Sequence, residues 1–176
     1  MSLLHASTLR SLWGLFLKND AEELAQRLTQ LALEGHRALL ATFADHPLAD
    51  DWHDFAAQAL TDFFEKRRGT VYVVTNPVHE GLYKVGHTGG ALSARLKSLN
   101  SAGVVGSFVV VDHVEALDRF AVEKMAHREL ALVAQQHKEF FKADFPTVSQ
   151  AVRAAAASYE QCMRSAALLV GSPCPE

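Results

Sequence analysis

Leu3, Leu4, Leu9, Leu12, Trp13, Phe16 and Leu17 recur mostly at three-to-four spacing, which predicts a helix with one apolar face. Asn19 or Asp20, followed by Glu22 and Glu23, reads as the next helix start, because a side-chain oxygen caps free amides and acids suit the positive end. Leu24, Leu28, Leu31, Ala32, Leu39 and Leu40 carry that helix to about Phe43, with Gly35 as a weak point that leaves a break there open and Asp45-His46-Pro47 as its end. Trp52, Phe55, Leu60, Phe63 and Phe64 then predict a third helix closing at Gly69. At residue 70 the period changes. Thr70–Thr75 is β-branched and aromatic, and Asn76-Pro77 terminates it; Leu82–Gly86 is a second short strand across a Val78–Gly81 hairpin loop. Gly89-Gly90 opens a helix from about Ala91 to Asn100, and Ser107–Val114 is dense enough in β-branched residues to be expected as a central strand. A helix over Glu115–Gln136 follows, then Glu139–Lys142 as a loop or strand piece, then a helix from Pro146 to about Leu169. The order β-β-α-β-α-α after an all-helical start predicts an α+β domain with a small three-stranded sheet.

Composition narrows the class. Of 176 residues, 49% are apolar and 21% charged, with mean hydropathy +0.02, so the chain can bury a core and is not intrinsically disordered. No apolar run reaches the roughly eighteen residues that cross a bilayer. The nearest, Leu3–Leu17, is broken by His5, Ser7, Thr8, Arg10 and Ser11 and lacks the marks of a signal peptide, so no membrane partner is expected. Cys162 and Cys174 are too few to staple the fold, which makes a reducing cytoplasm the expected compartment. The net charge of -3 and pI near 6.3 mean that contact with nucleic acid has to rest on a local patch. Residues 1–68 hold 10 acids and 7 bases, and three of those bases are Lys66, Arg67 and Arg68.

The candidate chemistry lies between Tyr72 and Glu139. Tyr72 is on the first predicted strand; Lys84 and Gly86 share one face of the second, and His87 follows where that strand leaves the sheet. Arg95 is on the next helix, and Glu139 precedes the last one. A carboxylate can hold a divalent ion that polarises a phosphate, and a guanidinium can clamp phosphoryl oxygens. A phenol beside an ammonium can take a proton from attacking water. Each residue also has a plain alternative, since strand tyrosines usually pack and lone Lys or Arg residues are usually solvated. Spacing alone therefore goes no further than a small α+β domain suited to phosphate chemistry.

The string Val71-Tyr72-Val73 … Leu82-Tyr83-Lys84-Val85-Gly86-His87-Thr88 … Arg95-Leu96 … Glu123 … His127 … Glu139-Phe140-Phe141 resembles the GIY-YIG nuclease superfamily, and within it the group named after an open reading frame of phage T5. The resemblance covers about residues 69–152, leaving 1–68 as a helical region and 153–176 as a C-terminal extension. It implies a three-stranded antiparallel sheet flanked by helices and metal-dependent cleavage of DNA, with RNA left open by the sequence. Tyr72 falls on the tyrosine of the first motif, Arg95 on the arginine that contacts the scissile phosphate, and Glu139 on the single carboxylate for one Mg²⁺ or Mn²⁺. The second motif departs from the pattern, because Lys84 rather than Tyr83 aligns with its usual tyrosine, and Gly89-Gly90 lengthens the gap to Arg95. A restriction-enzyme branch similarly has lysine there and histidine three residues later. On that analogy Tyr72 is the general base, Lys84 favours its phenolate, and His87 orients water or metal. Tyr83, His127 and Glu123 are supporting candidates, the last two being four residues apart on one helix face.

Lys66, Arg67 and Arg68, with Lys97, Lys138 and Lys142, are the candidate contacts to a nucleic-acid backbone. The first three equally complement a helix C-terminus. The N-terminal leucine and tryptophan faces either pack on the domain or form a homodimer surface. The leading expectation is a metal-dependent DNA endonuclease. Its competitors are a catalytically weak nucleic-acid-binding module of the same fold and a toxin or phage-defence component whose helices bind a partner protein.

Overall fold

The structure, a computed structural model, describes residues 3–45, 51–101 and 105–169. Contacts divide the chain into two units, Met1–Lys66 with Glu160–Glu176, and Arg67–Tyr159. No helix among the described residues is long and apolar enough to cross a membrane.

The first unit holds α1 (Leu3–Leu17), α2 (Ala21–Leu33), α3 (Arg37–Asp45) and nearly all of α4 (Trp52–Arg67). Asp20 is the residue that caps α2, accepting the Glu23 amide at 3.2 Å. The helix expected to run to about Phe43 is two, divided at its weak point: Gly35 sits at φ 78°, a left-handed backbone that glycine adopts without strain, and α3 starts two residues later. The expected stop at His46-Pro47 lies outside the described residues. Leu24, Leu28 and Leu31 of α2, Leu39 and Leu40 of α3, and Trp52 of α4 are buried. Phe16 meets Trp52 and Phe55 edge-on at centroid distances of 5.5 and 5.3 Å.

The second unit contains β1 (Gly69–Thr75), β2 (Leu82–Thr88), α5 (Leu92–Leu99), β3 (Val109–Ala116), α6 (Arg119–Val133), β4 (Gln135–His137), β5 (Phe140–Lys142) and most of α7 (Phe145–Leu169). The sheet is antiparallel with strand order β3-β1-β2-β5-β4. It therefore has five strands where the sequence predicts three. The added pair spans three residues each, too short for a period to register. Its turn runs through Lys138 at φ 55° rather than through glycine or asparagine. What makes β5 a strand is its partner: Leu82, Tyr83 and Lys84 offer it an open edge of β2.

The expected central strand is also corrected, since β3 lies at the sheet edge with Val109 and Val111 exposed. A run of valines does not tell a two-sided burial from an edge. β1 has β2 and β3 on its flanks, and Val71, Tyr72, Val73 and Val74 are fully buried. By alternation Val71, Val73, Val85, Asp112 and Phe141 share one face. That face is covered by α6, whose Val122, Ala126 and Leu130 are buried, and α7 contributes the buried Val148 and Val152. Asp112 ties the two layers by accepting from Ser149 and Arg153 of α7. Tyr72, Val74, Lys84, Gly86 and Phe140 lie on the opposite face.

Candidate active site

The second face brings the polar residues together. Tyr72 pairs in register with Gly86, and a Cβ at Gly86 would lie 2.7 Å from the Tyr72 hydroxyl oxygen. The phenol ring thus lies across Gly86, and only glycine leaves it room. From α5, Arg95 donates its Nε–H to the Tyr72 hydroxyl oxygen at 3.0 Å, so the hydroxyl's own hydrogen points away from the guanidinium. The turn that delivers α5 is held by Thr88, whose hydroxyl accepts the Gly90 amide at 3.1 Å.

Lys84 stands two residues before Gly86, so it points to the same side of the sheet. It is buried, and its ammonium pairs with the Glu139 carboxylate, whose side chain remains 54% exposed. Glu139 is fixed by backbone as well, since its carbonyl accepts the Val85 amide at 3.2 Å and anchors the start of β5 against β2. The next residue, Phe140, places its ring 5.6 Å from the Lys84 ammonium. Burial holds the Lys84 ammonium below the ordinary lysine range, and the Arg95 charge lowers it further, while Glu123 acts in the opposite direction. Tyr72, Arg95, Lys84 and Glu139 therefore occupy one connected patch, with a half-exposed carboxylate at its mouth.

The other candidates lie elsewhere. β2 continues to Thr88, so His87 is still inside the strand and alternates to the face opposite Lys84. Its Nδ1 meets the Glu123 carboxylate at 2.7 Å, and its ring stands edge-on to Phe120 at 4.7 Å. His127 joins its Nε2 to the Val85 carbonyl at 3.1 Å and packs edge-on against Phe141, which docks α6 on β2. Tyr83 packs toward Phe145 of α7, with ring centroids 6.0 Å apart. Arg67 pairs with buried Asp118 at 2.7 Å and lies over Phe120, so its charge is used within the unit. Lys66, Arg68, Lys97, Lys138 and Lys142 are exposed. Of these, Lys142 is opposite Leu82 and shares the face of Lys84.

Sequence reasoning passed over Phe140 as a neighbour of the ammonium, although its place beside Glu139 is the available signal. Among the described residues no three His, Cys, Asp or Glu side chains gather as a metal cage. The T5orf172 domain family matches residues 69–156, half of the 176-residue chain. No curated protein and no solved structure matches.

Proposed function

The chain belongs to the T5orf172 domain family, a GIY-YIG-type group, and on that premise we propose that it is a divalent-metal-dependent endonuclease hydrolysing DNA phosphodiester bonds. Membership makes residues 69–156 a nuclease-type or DNA-binding module. The finer reading is carried by one observation, the Arg95–Tyr72 contact standing beside the Lys84–Glu139 pair on one sheet face.

In this reading Arg95 grips the scissile phosphate and meets the charge that builds on its oxygens. The Tyr72 oxygen, oriented by Arg95, takes the proton of the attacking water. Lys84, which loses its own proton to solvent more readily than a surface lysine, accepts as a neutral amine the hydrogen that the phenol gives up, so that the phenol ends the step holding the proton taken from water. His87 lies on the opposite face with its ring fixed by Glu123, so in this reading the water and the ion are left to Tyr72 and Glu139. A half-exposed lone carboxylate suits Mg²⁺ or Mn²⁺, which keep waters and bind through one or two carboxylates plus substrate phosphate, so Glu139 is the residue to hold the ion. When bound, such an ion polarises the phosphate and stabilises the leaving oxygen. Lys142 and Lys97 extend the contact along the backbone.

A second reading, a nucleic-acid-binding module that does not cut, draws on the same pairings, because Tyr72 and Glu139 are both engaged by protein cations. Nicking of supercoiled plasmid separates the two. With Mg²⁺ or Mn²⁺ the wild-type protein is expected to nick. Arg95→Ala lowers the rate by about 10²–10³-fold, the loss typical of one preorganised charge-stabilising donor. Glu139→Gln removes the metal dependence together with the activity. Intact plasmid across metals and pH, with DNA still retained in a gel, favours the module.

A further inference from the structure

Next to the Lys84–Glu139 pair, on the same face of the sheet, lies a cleft of about 330 Å³. That volume is at the small end of the range for ligand sites, roughly 300–1,000 Å³. Its walls are mostly apolar and aromatic: Leu82, Val105, Phe108 and Phe140, with the imidazoles of His79 and His137. Phe108 and Phe140 stand with ring centroids 6.2 Å apart, tilted by 34°. Among the described residues neither the His79 nor the His137 ring makes a hydrogen bond or ion pair, which leaves their ring nitrogens for a ligand.

The cleft is built rather than incidental. Asn100, at the end of α5, accepts the Phe108 amide at 2.7 Å and donates to the Phe108 carbonyl at 3.0 Å, so one side chain fixes that residue's backbone on both sides. Buried Asn76 does the same at the other end of the wall, donating to the Val105 carbonyl at 2.8 Å and accepting the Val78 amide at 3.1 Å. Gly106 passes close over it with φ 77°, where a Cβ would lie 2.5 Å from the Asn76 side-chain oxygen. Both asparagines are thus occupied in holding Val105 and Phe108 over the end of the sheet.

Charge brackets the cleft. Lys84 touches one wall, its ammonium facing the Phe140 ring, and Lys142 sits on the same face opposite Leu82. Leu82 and Lys84 are two residues apart on β2, about 7 Å along the strand, within the reach of one nucleotide. An apolar, aromatic slot with Lys84 and Lys142 beside its walls fits a nucleobase whose sugar carries a phosphate on each side. We propose that this cleft is a subsite for a single unstacked nucleobase, adjoining the phosphate held by Arg95. The substrate is then a nucleic acid with a base free to leave the stack, as in a single strand, a frayed end or a distorted duplex. This deepens the reading of the same face as a phosphodiester site and rests on it.

The test measures binding in chelator, so that cleavage plays no part. A short oligothymidine strand and the same sugar–phosphate strand without bases compete for the full chain in anisotropy titrations. Wild-type protein is expected to prefer the base-bearing strand by at least about fivefold, the low end of what one stacked base contributes. Phe108→Ala and Val105→Trp, the second at an exposed position and filling the slot, bring that ratio close to one. Arg95→Ala weakens both strands and leaves the ratio standing. A ribothymidine strand run in parallel tells an RNA base from a DNA base, and preference for either over its abasic form supports the subsite. Equal binding of both strands by wild type, no binding of either, or a ratio unchanged in Val105→Trp with wild-type melting overturns it. A protein that keeps the base preference but never nicks plasmid loses the hydrolase and keeps the subsite.

Discussion

The two faces of the sheet are made from the same strands and serve different ends. On the α6–α7 side, Val71, Val73, Val85 and Phe141 are buried with Val122, Ala126, Leu130, Val148 and Val152, and the polar groups there, Asp112, the His87–Glu123 pair and His127, are each tied to a protein partner. On the α5 side, positions one residue along carry a phenol, an ammonium and a glycine, and α5 itself buries none of its residues fully. The first face holds the unit together by removing apolar area from water. The second keeps cations close together in a partly dry setting, where Lys84 is lowered by burial and by Arg95. Strand alternation lets these demands coexist, because successive side chains of one strand point to opposite sides of the sheet.

That contrast can be broken first at Leu130, which is fully buried on α6. Leu130→Ala is expected to cost about 2–5 kcal/mol by leaving a cavity. Denaturant unfolding should show this, while the activity of the fraction still folded stays near wild type. Arg95→Ala is the converse, losing activity with little change in the melting curve. Comparable losses of stability in both variants would mean that the faces are not separable.

Gly86 sharpens the comparison, because it belongs to the second face and yet governs packing. Gly86→Ala places a methyl group against the Tyr72 ring and is expected to cost about 1–3 kcal/mol, with activity falling as the hydroxyl is pushed from Arg95. Thermal melts and plasmid nicking on one preparation check both effects. Wild-type behaviour in both assays would show that the ring has room to move.

The smallest effect lies with Asp112, the buried acid that β3 sets on the α6–α7 face. Burial alone would raise its carboxyl, but hydrogen bonds from Ser149, Arg153 and the His113 amide outweigh that and hold it below the ordinary range. Asp112→Asn is expected to cost on the order of 1 kcal/mol at neutral pH. A lowered folded-state pKa gives stability that is full above the unfolded carboxyl's pKa and lost as pH falls through the folded one. The difference between wild type and variant should therefore fade in acid. A difference that stays constant in urea melts from neutral pH down through the carboxylate range would assign the residue a purely steric part.

Most of the secondary structure can be read from the chain. The helix cap at Asp20, the break at Gly35 and the change of period at residue 70 are local signals that tertiary contacts leave standing. β4 is not legible and β5 reads only as a loop or strand piece, because three residues make no period and the pairing of β5 depends on the edge of β2. A run of valines likewise reads as central in β3, which lies at an edge with Val109 and Val111 exposed.

The candidate site divides similarly. The types and order of Tyr72, Lys84, Arg95 and Glu139 belong to the sequence, and so does the sharing of one face by Lys84 and Gly86, since alternation is a property of any strand. Only the tertiary structure decides that Arg95 reaches Tyr72, that Glu139 closes on Lys84, and that His87 turns to Glu123 on the other side. These contacts join residues far apart in the chain, and their geometry is set by how helices dock on a sheet. Periodicity is a short-range property of the backbone, whereas a site is a meeting of surfaces that the backbone brings together only once it is folded.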